Sequence, residues 1–458
     1  MTSPAPEPAY RTRRPEGVAV AIAIAGLVVA FTIEGWGPWD DVHAWLDPLS
    51  AYLEPTLGPG VPLAVGVAAA VAGYGPALAE RLPWGRLLLA TWIAGLAWSV
   101  SLALMRGWSG IADPLTNEHE YLVDVPRIND LTAVVPGFVD RIDSSDATNW
   151  VTHVAAHPPL TFLCFLWLDR IGLGGPVWGG VVITLLGSTA VAAVLVTLRA
   201  LGDERTARTA APFLALTPLV TWSVVSADGV FMAAAAWGLA LLALAAVAPR
   251  WPSAVALGAV AGVALGLAIN LSYGLLLIGV LALAVLAAGR SWRPLLPAVV
   301  GGLAVVGLFA TLGFWWLDGQ QEVVNRYYRG IASERPQAYW VWANLAVVCF
   351  CVGPAVVAAI GRTVYRRADL PVAGETGMSH RWSPRVPAAW WLALGAVVAM
   401  GTADLSGLSR SEVERIWLPF TIWLVPLTAW LDARDRTRWL VAQAGWAVAI
   451  GVVLRFTW

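Results

Sequence analysis

The chain has 458 residues and a formal net charge of −1; 58% of it is hydrophobic and only 13% charged. Soluble domains average nearer ~25% charged, so this composition excludes a water-soluble fold and points to a helical membrane protein, with no nucleic-acid partner expected. The three cysteines, Cys164, Cys349 and Cys351, lie in apolar stretches without metal-ligand spacing to histidine and read as packing residues, not as a disulfide.

A helix needs about 20 mostly apolar residues to cross the hydrocarbon core. Thirteen segments qualify in chain order: 17–36, 61–78, 87–105, 176–198, 209–225, 228–248, 253–268, 272–288, 295–315, 338–361, 387–403, 416–431 and 439–456. Arg11, Arg13 and Arg14 precede the first, and with no clear small-residue cleavage site after it the span is expected to be retained. Every basic residue is arginine, and the wealth of Ala, Val, Gly and Arg suggests a bacterial plasma membrane. With the N-terminus cytoplasmic, 19 of the 29 arginines fall inside, as the positive-inside rule expects. The same assignment leaves 21 of the 30 acidic residues outside and makes the C-terminus extracytoplasmic. Segment 158–171 is apolar but short; if it crossed, every later arginine-rich loop would invert, so it is expected to lie in the outer interface or to re-enter it.

Chemistry-bearing residues gather on the expected outer side. The loop 106–157 carries Trp108, the run Glu118-His119-Glu120-Tyr121-Leu122-Val123-Asp124, and His153 and His157 ahead of Pro158-Pro159-Leu160. Ser226-Ala227-Asp228 and the pair Asn270 and Tyr273 mark two tight outer turns. Asn325-Arg326-Tyr327-Tyr328-Arg329 lies in loop 316–337, and Ser411-Glu412-Val413-Glu414-Arg415-Ile416-Trp417-Leu418-Pro419 leads into the twelfth span. Each has an ordinary explanation: a carboxylate at a helix start serves as a cap, and Glu412 or Glu414 can simply neutralise Arg415. As a set, ionisable groups at one membrane edge are costly unless paired or used.

In order and spacing these motifs resemble the GT-C superfamily of membrane glycosyltransferases, in particular its protein mannosyltransferase and aminoarabinose transferase-like group. The acidic run at 118–122 looks like the family's outer-loop motif, and His157-Pro158-Pro159-Leu160 its His/Lys-Pro-Pro-Leu element. Ser226-Ala227-Asp228 follows a span bearing Thr217-Pro218, and Glu414-Arg415-Ile416-Trp417-Leu418-Pro419 resembles the late Arg-Tyr-Leu-Leu-Pro element. The likeness runs from 87 to about 430 and departs in one respect: the acidic loop follows the third span, not the first. Residues 1–86 are therefore expected to be an added pair of spans on a catalytic domain of 87–458, and Asp40-Asp41, after the first span, forms a rival acidic site.

The resemblance implies an all-α bundle with an outer cavity and juxtamembrane helices in 106–157 and 158–171. It implies inverting transfer of a sugar from a polyprenyl-phosphate donor to a hydroxyl of a cell-envelope glycan, glycolipid or protein. Such a donor carries a good leaving group, so the site needs a base and a cation for the departing phosphate. Glu118 or Glu120 would be the base, spacing leaving both open, with Asp124 beside them. His153, His157 and Asp228 would position substrate. Arg415, then Arg329 and Arg326, would hold phosphate bidentately while their stems stay apolar, with Glu414 beside Arg415. Trp108, Trp316 and Trp417 are available to stack on sugar rings. Clustered acids leave room for a divalent cation, but no metal motif is present. The rival function is a secondary transporter or lipid flippase; such proteins place charges and broken helices near the midplane, often in two related halves, which this chain does not show.

Overall fold

The computed structural model describes residues 15–33, 42, 46, 48–142, 148–368 and 386–456. Among these, seven helices are long and apolar enough to cross a membrane: Pro15–Thr32, Gly60–Arg81, Trp84–Arg106, Pro176–Ala200, Ala227–Ala246, Trp251–Ile269 and Ala388–Leu405. The number becomes nine if two bent pairs count as one span each: Leu295–Thr311 with Trp316–Arg329, bent by 78°, and Gln337–Val352 with Pro354–Tyr365, bent by 111°. The chain is thus a multi-pass helical membrane protein.

Four of the thirteen expected spans fall outside that test of length and hydropathy. The stretch 209–225 divides into Glu204–Ala215 and the turn Val220–Ser223, because Pro218 lacks the N–H that would carry a helix through Thr217. The stretches 272–288 and 416–431 are short apolar helices, Tyr273–Ala288 and Leu418–Trp430, each partly in the tighter 3-10 form. The last is Arg436–Val453, 18 residues with two arginines in its first turn. Segment 158–171 forms Pro159–Arg170, 12 residues long. At 1.5 Å per residue it rises about 18 Å, well short of the ~30 Å core.

The breaks are chemically satisfied, as a low-dielectric surrounding demands. At the 111° bend Gly353 adopts φ 80°, and the buried Gln443 side chain accepts from Ala355 N–H at 2.9 Å while donating to the Val352 carbonyl at 2.7 Å. The carbonyl of Thr217 receives the Trp98 indole N–H at 3.1 Å. Packing relies on small residues that let backbones approach. Trp251–Ile269 lies so close to Leu295–Thr311 that a Cβ on Gly262 would stand 2.0 Å from the Ala298 carbonyl oxygen. The same helix packs against Ala227–Ala246, which carries Asp228 in its first turn.

One end of the bundle carries most of the irregular structure. Residues 104–142 run as short 3-10 turns, and Ala51–Leu53 pairs antiparallel with Leu454–Phe456, so the C-terminal strand also lies at this end. The other end holds the arginine-rich helix ends, where Arg208 donates to the Ala79 and Leu82 carbonyls and Arg362 pairs with Glu16 and Asp432. The first two helices pack separately: Pro15–Thr32 against the 111° bent pair, and Gly60–Arg81 against Trp84–Ala103, Glu204–Ala215 and Arg436–Val453. All three cysteines are free; Cys351 is buried, while Cys164 is exposed on its helix.

Candidate active site

The loop 106–157 has little regular structure, so side chains fix it. Asp124, fully buried, pairs with Arg127 and accepts the Val151 N–H at 2.9 Å. Arg326 donates to the carbonyls of Ile142 and Trp150 at 2.8 and 3.1 Å, drawing the loop's later part onto Trp316–Arg329. His153 N–H donates to the His119 carbonyl at 3.0 Å, which lays the acidic run beside the histidines. Tyr121 anchors that run, its ring stacked on Phe165 with centroids 4.9 Å apart and its hydroxyl 2.9 Å from His157 Nδ1. The Thr152–Ala155 turn puts His153 and His157 on one face.

Two further turns meet these histidines. Ser226 caps Ala227–Ala246: its hydroxyl accepts the Asp228 N–H at 3.2 Å and donates to Asp228 Oδ2 at 2.7 Å. Asp228 thus sits at a helix start, where backbone N–H groups favour an anion. Arg415 arrives on a turn whose Ser411 and Glu412 have φ of 80° and 60°, a left-handed conformation costly for residues with a side chain. The turn is over-determined by its neighbours: Asn344 donates to the Ser409 carbonyl at 2.6 Å, Arg335 to the Arg410 carbonyl at 2.8 Å, and Ser50 N–H to Glu414 Oε1 at 3.0 Å.

The result is a buried polar chain. Arg415 Nη1 lies 3.4 Å from Asp228 Oδ2, and its Nη2 donates to Glu412 Oε2 at 2.8 Å. Both Arg415 nitrogens lie 3.4 Å from His153 Nε2, and His153 Nδ1 lies 2.8 Å from Glu120 Oε1. An arginine only donates, so these contacts assign the neutral tautomer in which Nδ1 carries the proton to Glu120 and Nε2 accepts. Glu120, Asp228 and Arg415 are 3%, 5% and 6% exposed, so each charge depends on the others for compensation. Burial raises the Glu120 carboxyl, but His153 and Arg415 outweigh it and hold it below its ordinary value. Burial disfavours the Arg415 cation, yet Asp228, Glu412 and Glu120 leave it more firmly protonated than an ordinary arginine. Burial pushes His157 down to about 4, and its Nδ1–H is shared by the His153 carbonyl at 2.8 Å and Tyr121, so the ring is neutral near pH 7.

This chain forms part of the wall of a cavity of about 1710 Å³, lined among others by Glu118, His153, His157, Asp228, Glu412 and Arg415. Apolar side chains, including Leu276, Leu277, Val323 and Phe420, line it as well. Glu118 is 87% exposed, 3.9 Å from His119, whereas Glu120 stands behind His153, one carboxylate oxygen without a hydrogen-bond partner among the described residues. The two acids that spacing left equivalent are therefore in opposite environments. Asp124 and Arg326 brace the loop rather than line the cavity, and Arg329 is exposed, donating to the Asn325 carbonyl. Glu414 is buried beside Ser50 and burial pushes its carboxyl up to about 7. Trp417 lines the cavity; Trp316 is buried, donating to the Ile269 carbonyl, and Trp108 is exposed. Asp40 and Asp41 lie outside the described residues.

Arg335 and Arg410 also line the cavity and carried no motif. Their only signal in sequence is arginine in a loop expected outside, on the side the positive-inside rule leaves poor in arginine. Among the described residues no three His, Cys, Asp or Glu side chains are grouped to hold a metal ion. The carboxylates of Asp228 and Glu412 are turned onto Arg415.

Neither a protein-family model nor a curated protein matches the sequence. Among solved structures the chain is similar to the crystal structure of the Archaeoglobus fulgidus oligosaccharyltransferase in complex with Zn and sulfate, at 12% identity and a TM-score of 0.42. That likeness covers 80% of this chain and 53% of the other, so the chain spans about half the length of the protein it matches.

Proposed function

We propose that the chain is a membrane glycosyltransferase of the GT-C type that moves a sugar from a polyprenyl-phosphate donor to an acceptor hydroxyl at the extracytoplasmic face. The observation that carries this reading is the convergence of Glu120, Asp228 and Arg415, from three motifs in family order, on His153, four residues ahead of the fourth, beside one cavity with apolar walls. The arginine bias of the opposite end supports the outward assignment of the cavity.

In this reading the acceptor oxygen attacks the anomeric carbon as the bond to phosphate oxygen breaks, the electron pair leaving with the phosphate. One displacement inverts the centre. Once the phosphate draws the Arg415 guanidinium off His153 Nε2, the acceptor proton passes to that nitrogen, and Glu120, hydrogen-bonded to Nδ1, stabilises the imidazolium that forms. Arg415 receives the phosphate; Glu412, about a third exposed at 2.8 Å, is the carboxylate that gives way. Asp228 keeps the guanidinium oriented, and the apolar wall takes the first prenyl units. The acceptor is a hydroxyl of a cell-envelope glycan, glycolipid or protein. Incubation of purified protein with synthetic polyprenyl-phosphate sugars, following donor loss by mass spectrometry, tests the reading; an unchanged donor across hexosyl and pentosyl forms with envelope extract as acceptor contradicts it.

A further inference from the structure

At the end of the bundle opposite the cavity, a pocket of about 450 Å³ opens between the start of Glu204–Ala215, the Pro354–Ala368 helix and the turn between Leu418–Trp430 and Arg436–Val453. Three arginines line it, Arg205, Arg362 and Arg436, against one carboxylate, Asp432. Arg362 is already partnered by Asp432 at 3.4 Å and by Glu16, and Arg436 is held by the Ala429 and Leu431 carbonyls at 2.8 and 3.1 Å. Arg205 is exposed and its side chain has no hydrogen bond or ion pair among the described residues. Arg362 Nε is buried and equally without a partner. The site is therefore built, with two guanidinium groups fixed and a third open, and cationic beyond what its own acids offset. Burial and the Arg205 charge push Arg436 below its ordinary value.

We propose that this pocket binds a phosphate monoester or diester. Planar guanidinium groups match phosphate oxygens bidentately. A pocket at span ends, where headgroups lie, receives such a group from an anionic lipid or from a soluble phosphate ester, and basic sites between membrane helices suit both.

The test is thermal unfolding of the full chain in detergent, titrated separately with short-chain phosphatidylglycerol, with inorganic phosphate and with a short-chain diacylglycerol lacking phosphate. The expected result is a saturable rise in Tm with phosphatidylglycerol, with phosphate, or with both, and none with diacylglycerol. Phosphatidylglycerol alone identifies a lipid headgroup as the source; phosphate acting at the same concentration identifies a soluble ester. R205Q should raise the half-saturating concentration about fivefold, the equivalent of about 1 kcal/mol for one basic residue at a membrane surface. A433E, which adds an acid at an exposed lining position, should raise it at least as much. Both variants should keep the unliganded Tm, since neither position supports packing. No rise with either phosphate compound, an equal rise with diacylglycerol, or a rise unchanged in both variants overturns the proposal.

Discussion

Arg415 Nη1 stands 3.4 Å from Asp228 Oδ2, both side chains buried. Breaking a buried pair leaves an uncompensated charge and costs on the order of 3–5 kcal/mol. R415A should therefore lower Tm sharply. D228N should cost less, because Glu412 and Glu120 still face the guanidinium. In the double variant the losses should fall short of additive, since the partner stranded by each single change is gone. Additive losses in detergent unfolding would show that the two groups do not interact.

Glu118 and Glu120 should separate in activity. E120Q keeps the shape of the side chain and a weaker hydrogen bond to His153 but removes the charge that stabilises an imidazolium, so the turnover rate should fall about 10²–10⁴-fold with donor binding little changed. E118Q, on the exposed rim, should stay within about twofold. Equal losses in both would return the exposed acid to the reaction.

Glu412 occupies Arg415 on the cavity side at 2.8 Å, so an incoming phosphate must compete with it. E412Q removes the competing charge. Donor affinity, read by displacement of a labelled polyprenyl phosphate, should rise; a fall would mean that Glu412 contributes to binding the donor.

Two buried groups near the site pull the pH dependence of stability in opposite directions. Burial raises the Glu414 carboxyl from 4.5 to about 7, so the folded state holds its proton more tightly and stability is lost as pH climbs from 4.5 to 7. Burial lowers His157 from 6.5 to about 4, so its contribution is present above 6.5 and lost as pH falls towards 4. Wild type should be flatter than either variant: E414Q should gain Tm with rising pH between 4 and 6.5, and H157Q should lose it between 4.5 and 7. Parallel profiles for all three proteins would contradict both assignments.

Sidedness is open to labelling in a variant free of Cys164, Cys349 and Cys351. T116C, exposed beside the cavity, should react with an impermeant maleimide on intact cells, and A433C, at the arginine-rich end, only after the membrane is opened. The reverse pattern would turn the cavity to the cytoplasm.

Hydropathy made the long helices legible, since Trp84–Arg106, Ala227–Ala246 and Trp251–Ile269 are each one uninterrupted apolar stretch. It does not show where an apolar stretch is broken: at Thr217-Pro218, and in Leu418–Trp430, whose latter part coils as 3-10 helix around Pro426. An average over a window is blind to such breaks. Segment 158–171 forms a 12-residue helix, shorter than a crossing of the hydrocarbon core needs. In the site, the motifs named the residues but not their depth. Glu118 and Glu120 are set apart by the anchoring of Tyr121 on Phe165 and the 119–153 backbone bond, both made by residues more than thirty positions downstream. Arg335 and Arg410 join the cavity through the same kind of long-range tie, each donating to a carbonyl of the other's segment.

The most direct measurement is sugar transfer from a synthetic polyprenyl-phosphate donor by purified wild-type protein beside H153Q and E120Q, with donor binding measured in parallel. The account predicts transfer by wild type and loss of at least about 10²-fold in both variants, each still binding donor, because the proton acceptor and its carboxylate act as one unit. Full transfer by either variant, or donor left intact by wild type while the lipid is moved across the membrane, would contradict it.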